Sequence, residues 1–97
     1  MVMETQIQKD IIEYLHARNI RAWRTNSGKA RYNIKLAPNG TPDIIGYLPG
    51  GKFLGIEVKK PGCKPSEEQL KWHADAQEQG CAIIVAHSLD DVVRRLG

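Results

Sequence analysis

Two short apolar segments joined by Pro49-Gly50-Gly51 constrain the fold of this chain more than any other feature of its sequence. The segments cover residues 43–48 and 52–58 and are rich in the aliphatic and aromatic residues that strands favour. Because Pro and Gly mark a tight connection, the pattern predicts an antiparallel hairpin. An isolated hairpin is only marginally stable in water, so the rest of the chain must complete a sheet and cover it.

The flanking segments supply the elements that such a sheet needs. Apolar spacing and capping residues predict five of them: a helix from about Glu4 to Arg18, a strand from Ile20 to Arg24, a helix from Ser66 to about Gln79, a strand from Cys81 to Ala86 and a last helix capped by Ser88. The order is therefore α-β-β-β-α-β-α. Since a strand-helix-strand connection implies a parallel pair, we predict an α/β fold with a mixed four-stranded sheet flanked by helices on both faces.

Length and composition predict one domain, over residues 1–97, of a protein that stays inside the cell. The chain is 41% hydrophobic, and no apolar run approaches the roughly 18 residues that indicate a membrane span. Residues 1–10 are polar and carry no signal-peptide pattern. We therefore expect an intracellular protein without a membrane partner, cytoplasmic if its source is a bacterium or a phage.

Basic residues concentrate in one part of the chain, although the net charge is only +3. Residues 14–42 contain no acid, whereas most of the acids lie in the second half. One basic and one acidic face would suit a polyanion such as DNA, but a solvated surface of mixed charge explains the same composition equally well. The residues that we expect to contact DNA phosphates are Arg24, Lys29, Arg31, Lys35 and Lys60.

Two carboxylates and a lysine are expected to share one patch of the sheet. If the three-residue loop pairs Leu48 with Lys52, counting back along both strands places Asp43 opposite Glu57, and Lys59 points to the same face as Glu57. Opposed carboxylates repel, and charges on buried strands are rare unless they are paired or bound to metal. The pattern favours a cation between the two acids, although an exposed Glu–Lys pair beside a turn-capping Asp43 would have the same spacing.

A divalent cation at this patch would support phosphodiester hydrolysis. Mg²⁺ prefers carboxylate oxygens, keeps several waters and often binds substrate phosphate as well. A bound metal can polarise a phosphoryl oxygen and lower the pKa of a coordinated water. Lys59 could orient that water or neutralise charge that builds on the phosphorane.

The same residues resemble a known nuclease signature. Pro42-Asp43, followed after a short hairpin by Glu57-Val58-Lys59, is similar to the PD-(D/E)xK motif, and Lys60-Pro61-Gly62 lies where this family has it. The compact setting resembles the VRR-NUC branch and the archaeal-type Holliday junction resolvases over nearly the whole chain. The resemblance implies a restriction-endonuclease-like core and an endonuclease that uses Mg²⁺ or Mn²⁺ to cleave DNA, with branched DNA such as four-way junctions as the expected substrate.

The resemblance also implies a catalytic set. Asp43 and Glu57 would bind the metal together with the backbone carbonyl of Val58, and Lys59 would be the catalytic lysine. Glu4 matches a glutamate on the first helix that often reaches the metal in such nucleases, although the helix dipole also favours an acid there.

Gln69 completes the set by matching a glutamine on the helix after the motif. It also fits a capping box with Ser66, and the two roles do not exclude each other. His16, His73 and His87 form no metal-binding spacing, so we expect each of them to be structural or exposed.

Two aromatic residues allow more than one interpretation. Trp23 could stack on a base, but a strand tryptophan in a small domain is more often part of the core. Trp72 could pack in the core or lie at a subunit interface. Together with Leu89, Val93 and Leu96 of the last helix, Trp72 offers surface for a homodimer, unless all four residues pack within the monomer.

Two other functions remain compatible with the sequence. A catalytically silent nucleic-acid-binding module could keep the fold, but it would have no use for opposed carboxylates near phosphates. A small interaction protein, such as a toxin–antitoxin partner or a nuclease inhibitor, would be expected to be acidic if it mimicked DNA, and the basic segment disfavours it.

Overall fold

The computed structural model describes residues 3–25 and 38–97 and confirms the predicted order of elements. This part of the chain forms the helices α1 (Glu4–Ala17), α2 (Glu67–Glu78) and α3 (Leu89–Leu96), and the strands β1 (Arg21–Arg24), β2 (Ile44–Tyr47), β3 (Phe53–Val58) and β4 (Ala82–Ala86). The predicted boundaries differ from these by no more than one residue, which is within the usual uncertainty at the ends of elements.

The four strands form one mixed sheet in the order β1-β2-β3-β4. β1 pairs with β2 and β2 with β3 in antiparallel fashion, and β3 pairs with β4 in parallel. The parallel pair is the one that α2 connects, as the strand-helix-strand pattern predicted.

Helices cover both faces of the sheet, as predicted. α1 and α3 pack on one face, where the core cluster includes Ile11, Leu15, Ile44, Ile56, Ile84 and Val92. Successive residues of a strand point to opposite faces, so Ile45, Gly55 and Glu57 point to the face that carries α2. The main core therefore supports β2 and β3 on the face that carries α1 and α3. The opposite face of these strands carries α2 and polar side chains.

The ends of α1 and α2 follow the sequence signals. Asn19 adopts a positive φ of 61° just after α1, as expected for a residue that stops a helix. Ser66 and Gln69 form the predicted capping box, in which the Ser66 hydroxyl accepts the Gln69 N–H at 3.1 Å and the Gln69 side chain accepts the Ser66 N–H at 2.8 Å. Both bonds fix the first turn of α2, which also faces the site.

The start of α3 differs from the prediction. The side chain of Ser88 makes no capping hydrogen bond. Asp91 instead accepts the N–H of His87 at 2.8 Å, so a carboxylate inside the first turn ties down the entering chain.

Several large apolar residues lie in positions that differ from those expected from the sequence. The sequence favours a core position for Trp23, but this residue lies on β1 at the edge of the sheet and is 51% exposed. Leu89 and Leu96 pack against the core cluster, and the Trp72 ring contacts Phe53 with 6.4 Å between centroids. All four residues proposed for a dimer surface are partly buried within the monomer.

Within the described residues, no helix is both long and apolar enough to cross a membrane.

Candidate active site

The two acids of the motif face each other across β2 and β3. The pairing follows the register predicted from the three-residue loop, with the Leu48 N–H donating to the Lys52 carbonyl at 2.9 Å. Continued by one residue, this register places Asp43 opposite Glu57. Hydrogen-bonded and non-hydrogen-bonded pairs alternate along an antiparallel ladder, so Asp43 and Glu57 occupy a non-hydrogen-bonded position, where facing side chains lie closest.

Pro42 and Asp43 shape the backbone at the end of β3. Continued one residue further, the register places Pro42 opposite Val58, at a position where a strand partner would donate its N–H to the Val58 carbonyl. Proline has no N–H, so it leaves that carbonyl without a ladder donor. The Val58 N–H is bound by the Asp43 side chain, which accepts it through Oδ2 at 2.9 Å. The Asp43 carboxylate is therefore held beside the Val58 carbonyl oxygen, which accepts no hydrogen bond from the strand ladder.

Two glycines allow the chain to bring these residues into place. Gly40 has a φ of +87°, and a Cβ there would lie 2.8 Å from the carbonyl oxygen of Glu68 and 3.0 Å from the Cβ of Trp72. A Cβ on Gly55 would lie 3.0 Å from the ring of Pro42. The absence of both side chains lets the segment before Asp43 run against α2 and lets Pro42 settle on β3.

Glu57 is a buried carboxyl in an unfavourable setting for charge. Its exposure is only 1%, and its Oε2 accepts a hydrogen bond from Gln69 Nε2 at 3.2 Å. The pKa of Glu57 is raised from 4.5 to about 9, chiefly by burial and further by the Asp43 carboxyl through a hydrogen bond and its negative charge. Lys59 opposes this rise and Glu4 adds slightly to it. The carboxyl is therefore protonated at neutral pH until a cation compensates its charge.

His73 is a site residue that the sequence interpretation missed. It lies on α2, is 4% exposed, and places Nε2 at 3.6 Å from Glu57 Oε1. Burial lowers the pKa of His73, and the charge of Lys59 lowers it further, so the ring is neutral at pH 7. A signal was present in the sequence, because Gln69 and His73 are four residues apart and therefore share one face of a helix.

Lys59 and Glu4 complete the cluster at the end of β3. The Lys59 N–H donates to the Ala86 carbonyl at 3.0 Å, so the chain keeps its strand direction and the Lys59 side chain stays on the face of Glu57. Glu4 accepts the backbone N–H of Lys60 through Oε2 at 3.2 Å, which brings the first turn of α1 to the same place. The structure thus brings together every residue predicted for the catalytic set.

The donor set fits a hard divalent cation. Within residues 3–25 and 38–97, no group of three or more His, Cys, Asp or Glu side chains is arranged to hold a metal. Two carboxylates with a backbone carbonyl nevertheless suit Mg²⁺, which keeps several of its waters. Glu57 Oε1 is buried and has no hydrogen-bond partner among the described residues, as expected for an oxygen whose partner is an ion.

The predicted DNA-contacting residues are only partly described. Lys60 is exposed beside the site, and Arg24 is exposed on β1 with its guanidinium donating to the Thr5 carbonyl at 3.3 Å. Lys29, Arg31 and Lys35 lie outside the described residues.

Comparisons with known proteins agree on one family. The model of the VRR-NUC domain matches residues 2–90. A protein of Acyrthosiphon pisum secondary endosymbiont phage 1, named "Putative nuclease p44", is 31% identical over 90 residues, which cover 93% of this chain and 88% of the phage protein. One solved structure, described as a VRR_NUC domain, has a TM-score of 0.74 at 24% identity and covers 96% of this chain and 92% of its own.

A second solved structure, described as a VRR_NUC domain protein, has a TM-score of 0.62 at 17% identity and covers 99% of this chain and 86% of its own. At these identities the solved structures establish the shared fold, and the sequence match over residues 2–90 establishes the relationship. The resemblance inferred from the motif is confirmed: the chain belongs to the VRR-NUC family of nuclease domains.

Proposed function

We propose that this chain is a metal-dependent endonuclease that hydrolyses phosphodiester bonds of DNA with Mg²⁺ or Mn²⁺. The observation that carries the proposal is the buried Glu57 carboxyl facing Asp43, with Lys59 beside it. Burial and a second carboxyl disfavour charge on Glu57, and a divalent cation reverses that preference. A protein that only bound nucleic acid would gain nothing from facing acids close to phosphates.

Each residue of the site has a part in this chemistry. Asp43, Glu57 and the Val58 carbonyl would hold the cation, and Glu4 lies close enough to assist. When bound, the cation polarises a phosphoryl oxygen and lowers the pKa of a coordinated water. Lys59 orients the attacking water or stabilises charge on the phosphoryl oxygens. Hydrolysis adds water across one P–O bond and leaves a phosphate monoester and a hydroxyl.

Trp23 supports a substrate whose bases can leave the helical stack. Its exposed ring borders a cleft of about 350 Å³ that Phe53 and Trp72 also line, on the sheet face that carries Asp43. Aromatic rings stack on bases of any sequence, and bases near a branch or a strand end are available for stacking. Branched DNA, such as a four-way junction, is therefore the substrate that we propose.

We also propose that two copies of the chain form a homodimer. A domain of this size has one catalytic patch, whereas a four-way junction is roughly two-fold symmetric and needs two cuts. Two-fold dimers are the commonest oligomers. Light scattering at micromolar protein should give about twice the 10.9 kDa of one chain. A mass of one chain under these conditions would exclude the dimer.

The proposed function is tested with a panel of end-labelled DNAs. The protein is incubated with four-way junction, flap, nicked and linear duplexes of one sequence, in Mg²⁺, in Mn²⁺ or in EDTA. Cleavage in either metal and none in EDTA supports the proposal, and faster cutting of the junction than of the linear duplex supports the substrate. Binding without cleavage in any metal would identify a catalytically silent binding module. Equal rates on the junction and the linear duplex would exclude selectivity for branches.

A further inference from the structure

Two side chains from the first turns of α2 face the two oxygens of Glu57. Gln69 and His73 are four residues apart, so their side chains leave the helix in the same direction. Gln69 Nε2 donates to Glu57 Oε2 at 3.2 Å, and His73 Nε2 lies 3.6 Å from Glu57 Oε1. One helix face therefore presents a nitrogen to each oxygen of the same carboxyl.

The contact with His73 is incomplete. A separation of 3.6 Å is too long for a hydrogen bond, and both Glu57 Oε1 and His73 Nε2 are buried without a partner among the described residues. Leaving two buried polar atoms unsatisfied destabilises the fold, and an apolar side chain at position 73 would avoid that loss. Packing alone therefore does not explain a histidine at position 73.

We propose that His73 is a positioning residue, which donates its Nε2–H to Glu57 Oε1 when the cation is bound. The inference rests on the proposed metal-dependent function. A movement of about half an ångström closes the gap to hydrogen-bond distance. Each carboxylate oxygen has two lone pairs, so Glu57 can accept bonds from Gln69 and His73 and still bind an ion.

The physical benefit is a fixed orientation of the metal ligand. A glutamate side chain has three rotatable bonds, and a carboxylate held by two donors on a rigid helix cannot turn away from the cation. Outer partners of this kind typically raise metal affinity by about 10- to 100-fold. Because the Ser66–Gln69 capping box fixes the start of α2, the first two turns of one helix set both donors.

The test compares two substitutions of nearly equal shape. His73→Gln keeps an amide N–H close to the position of Nε2, whereas His73→Met fills the space without a donor and packs well in irregular sites. Ala76→Gly serves as a control, because Ala76 is buried on the same face of α2 and its replacement weakens the helix without touching Glu57. Mn²⁺ affinity is measured by calorimetry in the absence of DNA, and circular dichroism verifies the fold.

We expect Mn²⁺ affinity to fall by about 10- to 100-fold in His73→Met, by less than about 5-fold in His73→Gln and not at all in Ala76→Gly. With saturating Mn²⁺, the cleavage rate of His73→Met should return close to that of the wild type. Equal affinity of His73→Met and wild type, or equal losses in the Met and Gln variants, would overturn the positioning role and leave the nuclease function standing. A wild-type protein that binds no Mn²⁺ would contradict the proposed function itself.

Discussion

The Asp43 carboxylate accepts the backbone N–H of Val58 at 2.9 Å, so one acid of the site is tied to the strand that carries the other. In a regular ladder the Pro42 carbonyl would accept this N–H, so the Asp43 side chain takes the place of that acceptor and is held in register with Glu57. A strand end that would otherwise fray becomes a rigid corner with two carboxylates and a backbone carbonyl. Substitutions at this corner should therefore affect the cation and the reaction more than the fold.

Lys59→Ala should abolish cleavage while leaving the fold intact. Lys59 is only partly buried and follows the last residue of β3, so its loss costs little stability. Removing a preorganised charge from the reaction centre should lower the cleavage rate by about 100-fold or more. Lys52→Ala, at the exposed opposite end of β3, is the matched control and should cut normally. Wild-type cleavage by a folded Lys59→Ala protein would remove this residue from the catalytic set.

Pro42→Ala should weaken cation binding, because alanine brings an N–H opposite the Val58 carbonyl. That donor would compete with the cation for the carbonyl oxygen and draw the chain into regular pairing. We expect Mn²⁺ affinity to fall by about 10-fold, in the range seen when ligand geometry is disturbed. Pro49→Ala in the hairpin loop makes the same chemical change away from the site and should bind as tightly as the wild type. If the two proline variants bind equally well, Pro42 has no role in exposing the carbonyl.

The stability of the metal-free protein should fall between pH 7 and pH 9. The pKa of Glu57 is raised from 4.5 to about 9, so the folded state keeps a proton that the unfolded state has lost. The contribution of Glu57 is therefore fully present below pH 4.5 and disappears as the pH rises through 9. His73 contributes little in this range, because its pKa is lowered from 6.5 in the folded state and most of the unfolded chains already carry a neutral ring at pH 7.

Urea unfolding in EDTA measures this effect, with Glu57→Gln as the reference. Between pH 7 and pH 9 the free energy of unfolding of the wild type should fall by about 2 kcal/mol more than that of the variant, because the variant has no proton to release. Added Mg²⁺ should reverse the loss, because the cation takes the place of the proton. If the free energy of unfolding changes equally with pH in the two proteins, the pKa of Glu57 is not raised in the folded state.

The basic segment can be tested through the salt dependence of DNA binding. If Lys29 and Arg31 contact phosphates, replacing both with alanine should lower the slope of log affinity against log salt by about two. Lys52→Ala should leave the slope unchanged. An unchanged slope in the double variant would place the DNA path elsewhere.

The sequence was sufficient to predict much of the site, because local patterns determine it. The length of the Pro49-Gly50-Gly51 loop sets the register of the hairpin, and the register alone brings Asp43 to face Glu57. The capping box likewise defines the start of α2 through residues three apart. In each case the spacing along the chain decides the contact.

The residues that were misjudged depend on contacts between distant elements. His73 resembles any helix residue until α2 is docked on β3, and only then does it meet Glu57. Trp23 lies on a strand as predicted, but β1 is the edge strand of the sheet that the described residues form, and the ring is left 51% exposed. Leu96, which the sequence leaves open between the core and a subunit interface, packs against the core cluster of its own chain.

The most direct test of the metal site is calorimetry of Mg²⁺ and Mn²⁺ binding to the wild type and to Asp43→Asn, in the absence of DNA. The amide introduced by this substitution keeps an oxygen for the Val58 N–H, so the fold should remain, but the site would lose a negative charge and a hard ligand. The expected result is binding by the wild type, release of a proton from Glu57 on binding, and loss of measurable binding in Asp43→Asn. Equal affinity of the two proteins for both metals would contradict a cation held between Asp43 and Glu57.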